Sequence, residues 1–111
     1  RKDAFIVFGY ADIEQAAHAA LAGSFIAAGQ NCLAAERYFV FDGVYDAFVS
    51  RVTELAKELR QGPPLAGEPV DVGAMTSPMQ LEIVEKLVND AAAKGARVLV
   101  GGKRARPEQG E

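Results

Sequence analysis

Three short apolar runs punctuate the chain: Ala4-Phe5-Ile6-Val7-Phe8, Tyr38-Phe39-Val40-Phe41 and Val98-Leu99-Val100. Unbroken apolar runs of this length read as strands buried on both faces, as in a parallel sheet. The spacing predicts strands over 4–8, 37–41 and 97–100. Between them the period lengthens to that of a helix. Asp12 with Gln15 makes a capping box. It opens a helix whose inward face is Ile13, Ala16, Ala17, Ala20 and Leu21, with Gly23 marking a weak point. Asp42-Gly43 reads as a turn. After it Val44, Phe48, Val52, Leu55 and Leu59 form one stripe ending near Arg60. Ser77-Pro78-Met79-Gln80 is a third helix start, with Ser as cap and Pro at the first helical position. Its stripe runs through Leu81, Val84, Val88 and Ala91. Lys94 suits the helix dipole and Gly95 the left-handed C-terminal position.

Strands alternating with helices predict an α/β fold: three layers, αβα, around a mostly parallel sheet. The stretch from Gln61 to Thr76 holds three of the five prolines, so residues 62–76 are expected to form a surface loop. Residues 103–111 are polar and aperiodic, and are expected to be a disordered tail. One domain at most fits within 111 residues.

Composition then removes several function classes. The net charge is -3, and the one basic cluster, Lys103-Arg104-Arg106, is too short for a nucleic-acid interface. No apolar run approaches a membrane span, and no signal peptide is visible. One Cys and one His, far apart in sequence, make no zinc site. An unpaired cysteine argues for a reducing, cytoplasmic setting rather than a disulfide scaffold.

Cys32 is that single cysteine, and its residue type alone leaves two readings open. A cysteine among Ala and Leu is often a small buried hydrophobe. Against that, Gly29 lets the backbone bend sharply, and Cys32 lies on a connection between helix and strand, where reacting groups are often placed. His18 stands about four helical turns away at 3.6 residues per turn, too far for a Cys-His dyad, and reads as a helix-surface residue.

The run Phe25-Ile26-Ala27-Ala28-Gly29-Gln30-Asn31-Cys32 resembles the active-site cysteine motif of the NAD(P)-dependent aldehyde dehydrogenases. The resemblance extends along the chain, through Lys2-Asp3-Ala4, Ala11-Asp12-Ile13-Glu14, Glu36-Arg37-Tyr38-Phe39-Val40, Val44-Tyr45-Asp46-Ala47-Phe48, Val72-Gly73-Ala74-Met75 and Gly95-Ala96-Arg97-Val98 with Gly101-Gly102. It implies that residues 1–111 are the first part of the family's catalytic domain. It implies Cys32 as nucleophile, forming a thiohemiacetal and then a thioester. Asn31 and Leu33 would line the aldehyde tunnel, and Gly29 and Gln30 would shape the loop. The general-base Glu, the oxyanion Asn, the nucleotide-binding domain and the Glu-x-Phe-Gly-Pro segment would lie outside these residues. The family's NAD or NADP is thus expected in the parent enzyme and not on this chain alone. The expected partners are a small aldehyde and further copies in a homo-oligomer, with no metal, nucleic acid or membrane. Arg1 departs from the family's Gly. Three rivals stand beside this reading: a non-enzymatic α/β interaction module that uses Cys32 for packing, a redox-sensing thiol domain and, within the family, a CoA-acylating semialdehyde dehydrogenase.

Overall fold

In the computed structural model, which describes residues 2–105, the chain divides at Leu59 into two units. The first holds two parallel strands, β1 (Asp3–Val7) and β2 (Ala35–Val40), joined through helix α1 (Ile13–Phe25) and a tight turn at Ile26–Gly29. Phe5 pairs with Tyr38, Ile6 with Phe39 and Val7 with Val40. Helix α2 (Asp42–Glu58) follows β2 at once.

The period-2 alternation of the strands decides which face is covered. Phe5, Val7, Tyr38 and Val40 point one way. Val7 there joins Ala20 of α1 and Phe48 of α2 in the core. Ala17 and Ala20 are almost wholly buried, and their small side chains let α1 lie close to its neighbours. Even Gly23 sits so near β2 that an added Cβ would meet that of Ala35 at 3.6 Å. The opposite sheet face, with Ile6 and Phe39, is more than half exposed. Both helices of this unit thus share the core on one face, and the unit is two layers thick.

Local chemistry sets the element ends. Asp12 Oδ1 accepts the Gln15 N–H at 2.9 Å, capping α1 as expected. Helix α1 continues through Gly23 to Phe25. Asp42-Gly43, expected to be a turn, is instead the first turn of α2. The first N–H groups of a helix need no intrahelical partner, so Gly43 costs little there.

The second unit holds α3 (Pro78–Ala93). Ser77 caps it by accepting the Gln80 N–H. At its far end the Ala96 N–H reaches Ala91 O and the Gly95 N–H reaches Ala92 O, both at 3.0 Å, with Gly95 at φ +98°. That is a Schellman closure, which requires the left-handed residue that glycine supplies. Residues 62–76 carry no helix or strand beyond a single bridge between Gln61 and Val72. The Arg60–Asp71 ion pair, at 2.7 Å, braces this loop at its base.

Two expectations need correction. No strand forms at 97–100, so the sheet has two strands rather than three. The described residues of the second unit contain no strand against which the run could pair, and an apolar segment becomes a strand only through a neighbour's ladder. The tail expected from residue 103 is not free throughout: Arg104 holds Glu85 of α3 through Nε at 3.0 Å and Nη2 at 2.7 Å. Residues 106–111, including Arg106, lie outside the described residues.

Candidate active site

Cys32 lies between α1 and β2, three residues before the strand begins. An α-to-β connection of this kind sits at the amino ends of parallel strands. Ligands of open parallel sheets are usually found at the carboxyl ends. The loop's own geometry, rather than the sheet's topology, therefore presents this thiol.

That geometry begins with three consecutive left-handed residues: Ala27 (φ +52°), Ala28 (φ +56°) and Gly29 (φ +76°). Glycine adopts this conformation freely, whereas each alanine pays roughly 1–2 kcal/mol. Several bonds hold the turn. Both the backbone N–H and the side-chain Nε2 of Gln30 donate to Ala27 O, at 3.1 and 2.9 Å. Next, Asn31 Oδ1 accepts the Leu33 N–H at 3.0 Å, and Asn31 O accepts the Ala34 N–H at 3.1 Å. Cys32 stands at the crown of this second turn with its thiol exposed. Leu33 beside it is 70 % exposed, while Ala34, 4 % exposed, anchors the chain to the core.

The base of the loop is tied by a knot. The Tyr38 hydroxyl donates to Ala20 O at 3.2 Å and contacts Ser24 Oγ, which itself donates to Ala35 O at 3.2 Å. These bonds join the last turn of α1 to the first residues of β2, so both ends of the cysteine loop are pinned. Sequence reasoning missed Ser24 and Tyr38. The available signal was a hydroxyl-bearing aromatic on the inward face of a strand, where it must find a partner.

Gly29 is left-handed and Gln30 bonds back to Ala27 O within this turn. The side chain of Asn31 engages the backbone, and Leu33 faces outward. His18 is a surface residue paired with Glu14 at 3.0 Å, as read from the sequence. Cys32 is exposed in this chain.

The local electrostatics are bland. No charged side chain occurs between His18 and Glu36. The Arg37 guanidinium is committed elsewhere: its Nε donates to Lys2 O at 2.7 Å, and the group lies over the Phe39 ring. Among the described residues, no group of three or more His, Cys, Asp or Glu is placed to hold a metal ion. No described helix is long and apolar enough to cross a membrane.

The turn between β1 and α1 contains Gly9, and the Asp12 carboxylate caps the N-terminus of α1.

The model of the aldehyde dehydrogenase family fits residues 1–111. The chain belongs to that family. It is 44 % identical over 101 residues to the mitochondrial succinate-semialdehyde dehydrogenase of Mus musculus, covering 90 % of this chain and 19 % of that protein. It is 41 % identical over 102 residues to a betaine aldehyde dehydrogenase of Cereibacter sphaeroides, covering 92 % and 21 %. The lactaldehyde dehydrogenase structure from Escherichia coli superposes with a TM-score of 0.91 at 36 % identity, covering 97 % of this chain and 23 % of that one. The chain thus spans about a fifth of the length of the relatives it matches.

Proposed function

We propose that this chain is the cysteine-bearing segment of an NAD(P)-dependent enzyme that oxidises an aldehyde to a carboxylic acid, with Cys32 as its nucleophile. One observation carries the reading: the chain's single cysteine is exposed at the crown of a loop pinned on both sides, within a family of aldehyde dehydrogenases. A cysteine kept for packing would be buried, and it would not need two strained alanines and a hydroxyl knot to hold its loop.

The chemistry assigned to this chain is addition. The thiolate of Cys32 forms a C–S bond to the carbonyl carbon, and the carbonyl oxygen takes up the electron pair. The adduct is a thiohemiacetal on Cys32. Oxidised to the thioester, it is cleaved by water, which releases the acid and regenerates the thiol. The nicotinamide cofactor is the two-electron acceptor, held by parts of the protein outside this chain. Leu33, exposed beside the thiol, supplies an apolar wall to the aldehyde. An exposed, unpaired thiol suits a reducing compartment, and we place the enzyme in the cytoplasm.

The test is Cys32→Ser in the full-length enzyme. A serine hydroxyl is a far weaker nucleophile than a thiolate at neutral pH. Aldehyde-dependent reduction of the cofactor should fall by orders of magnitude, while cofactor affinity, measured by fluorescence titration, stays near normal. Turnover that survives this substitution would remove Cys32 from the reaction.

A further inference from the structure

We propose that the Asp3 carboxylate is a docking point: an Arg or Lys side chain from a segment of the full-length protein outside residues 1–111 pairs with it. The inference rests on the reading, given above, of this chain as a segment of a longer enzyme, but not on the role of Cys32.

Asp3 opens β1, and its partner in the ladder is Ala35, the first residue of β2. Both lie at the amino end of the sheet, where the cysteine loop enters β2. The alternation along β1 sets Asp3 with Phe5 and Val7 on the helix-covered face: these three are at least partly buried, while Ala4 and Ile6 between them are exposed. Ala35 looks toward α1 as well, since its Cβ would lie 3.6 Å from a Cβ added at Gly23. Among the described residues, Asp3 Oδ2 is the one buried side-chain nitrogen or oxygen with no hydrogen-bond partner.

The donors on neighbouring residues are engaged elsewhere. Lys2 Nζ lies 3.7 Å from Glu36. Arg37 Nε donates to Lys2 O, and its guanidinium lies over Phe39 on the opposite face of the sheet. Ser24 Oγ donates to Ala35 O, and the Tyr38 hydroxyl to Ala20 O. A carboxylate oxygen withdrawn from water is costly unless it is paired, so buried carboxylates are found with partners. A cation offsets that cost better than a neutral donor, because a bond charged on both sides is roughly twice as strong. The donor has ample chain to come from: this sequence covers 19 % of the mouse succinate-semialdehyde dehydrogenase and 21 % of the betaine aldehyde dehydrogenase.

The full-length enzyme is compared with Asp3→Asn, Asp3→Ala and Arg1→Ala by thermal midpoint. Asparagine keeps the shape and one carbonyl acceptor but removes the charge. A neutral donor would tolerate it, whereas a cation would be left buried and unpaired. Both Asp3 variants should therefore lower the midpoint by several degrees. An Asp3→Asn enzyme as stable as wild type would mean that water or a neutral group serves Oδ2. Two variants more stable than wild type would mean that nothing does. Either result overturns the proposal. Arg1→Ala should leave the midpoint unchanged, and a loss matching that of Asp3→Asn would place the donor within this chain and overturn the proposal too. Should the Asp3 variants fail to fold, the crystal structure of the wild-type full-length enzyme decides. An Arg or Lys nitrogen from outside residues 1–111 at about 2.7–2.9 Å from Oδ2 supports the ion pair, and any other partner sinks it. The enzymatic reading fails separately: a Cys32→Ser enzyme that keeps its turnover would remove Cys32 from the reaction and leave the midpoint losses of the Asp3 variants as they are.

Discussion

At the scale of single residues, the cysteine loop depends on groups that never face the solvent around the thiol. The Tyr38 ring packs against Phe5, with centroids 5.1 Å apart, and against Phe48, at 6.2 Å. Its hydroxyl meanwhile serves Ala20 O and Ser24 Oγ. The side chain therefore belongs both to the core and to the knot below Cys32. Removing only the hydroxyl separates these roles. Tyr38→Phe keeps the packing and removes the hydroxyl's contacts with Ser24 Oγ and Ala20 O, while Ser24 keeps Ala35 O, at a cost of about 0.5–1.5 kcal/mol for a lost hydrogen bond. In the full-length enzyme we expect Tyr38→Phe to lower kcat more than it raises KM, since the knot fixes the loop and not the substrate. Ser24→Ala should resemble it, and the double variant should cost less than the sum, because both groups serve one network. Strictly additive losses in thermal midpoint would show that the two hydroxyls act separately.

At the scale of elements, what was legible in the sequence was what neighbours in sequence decide. The cap at Asp12, the start at Ser77-Pro78 and the close at Gly95 are local hydrogen-bond problems with few solutions. Each was readable from three or four residues. The start of α2 was not, because Phe41 contributes no side-chain cap and Asp42-Gly43 carries a turn signature in its own right. The run at 97–100 misled for a different reason: apolar character is local, but a ladder partner is not. At the candidate site, the left-handed Gly29 and the exposed Cys32 lie on a run that reads as a motif. The knot could not be read in this way, since Ser24 and Tyr38 are brought together only by the crossover. The pairing of Glu14 with Arg51 is another contact of that kind. Arg51 Nε and Nη2 hold the two carboxylate oxygens at 2.6 and 2.7 Å, tying α1 to α2. The hydrogen bond from Arg51 is the main cause of the Glu14 pKa falling from 4.5 to about 2, with His18 adding a smaller pull. A folded-state pKa below the unfolded one means the ionised form favours folding. The contribution is therefore fully present above 4.5 and is lost as the pH falls through about 2. In Glu14→Gln, the acid limb of a urea-midpoint titration should be shallower over this window, with little change at high salt, where exposed pairs are screened. Parallel titrations of variant and wild type would show that the pair does not link α1 to α2 in solution.

At the scale of the whole molecule, the sheet has one face too many. Parallel sheets are characteristically covered on both sides, yet here the face opposite the helices carries Ile6 at 56 %, Phe39 at 54 %, Phe41 at 54 % and Phe8 at 45 % exposure. Phe8 and Phe41 gather into one apolar surface, their rings 5.5 Å apart, and the Arg37 guanidinium lies over Phe39 at 5.6 Å. Charge does not guard it, since on this face only Arg37 interrupts the apolar side chains of the two strands. The strand edges compound the exposure, because a two-stranded sheet leaves an unpaired row of N–H and C=O groups along each outer side. Burying such a surface returns roughly 25 cal/mol for each Å² of apolar area, and a second copy offers the same face in self-complementary form. The 111-residue chain, produced alone, should therefore self-associate through this face and not through the cysteine loop. Light scattering should show mass rising with concentration. The double variant Ile6→Lys with Phe39→Lys should restore the monomer while leaving the far-ultraviolet circular dichroism unchanged, since both positions point away from the core. Leu33→Lys, on the loop, should leave association unaltered. A wild-type chain that stays monomeric at high concentration, or an association abolished by Leu33→Lys instead, would mean that this sheet face is not the surface that drives contact.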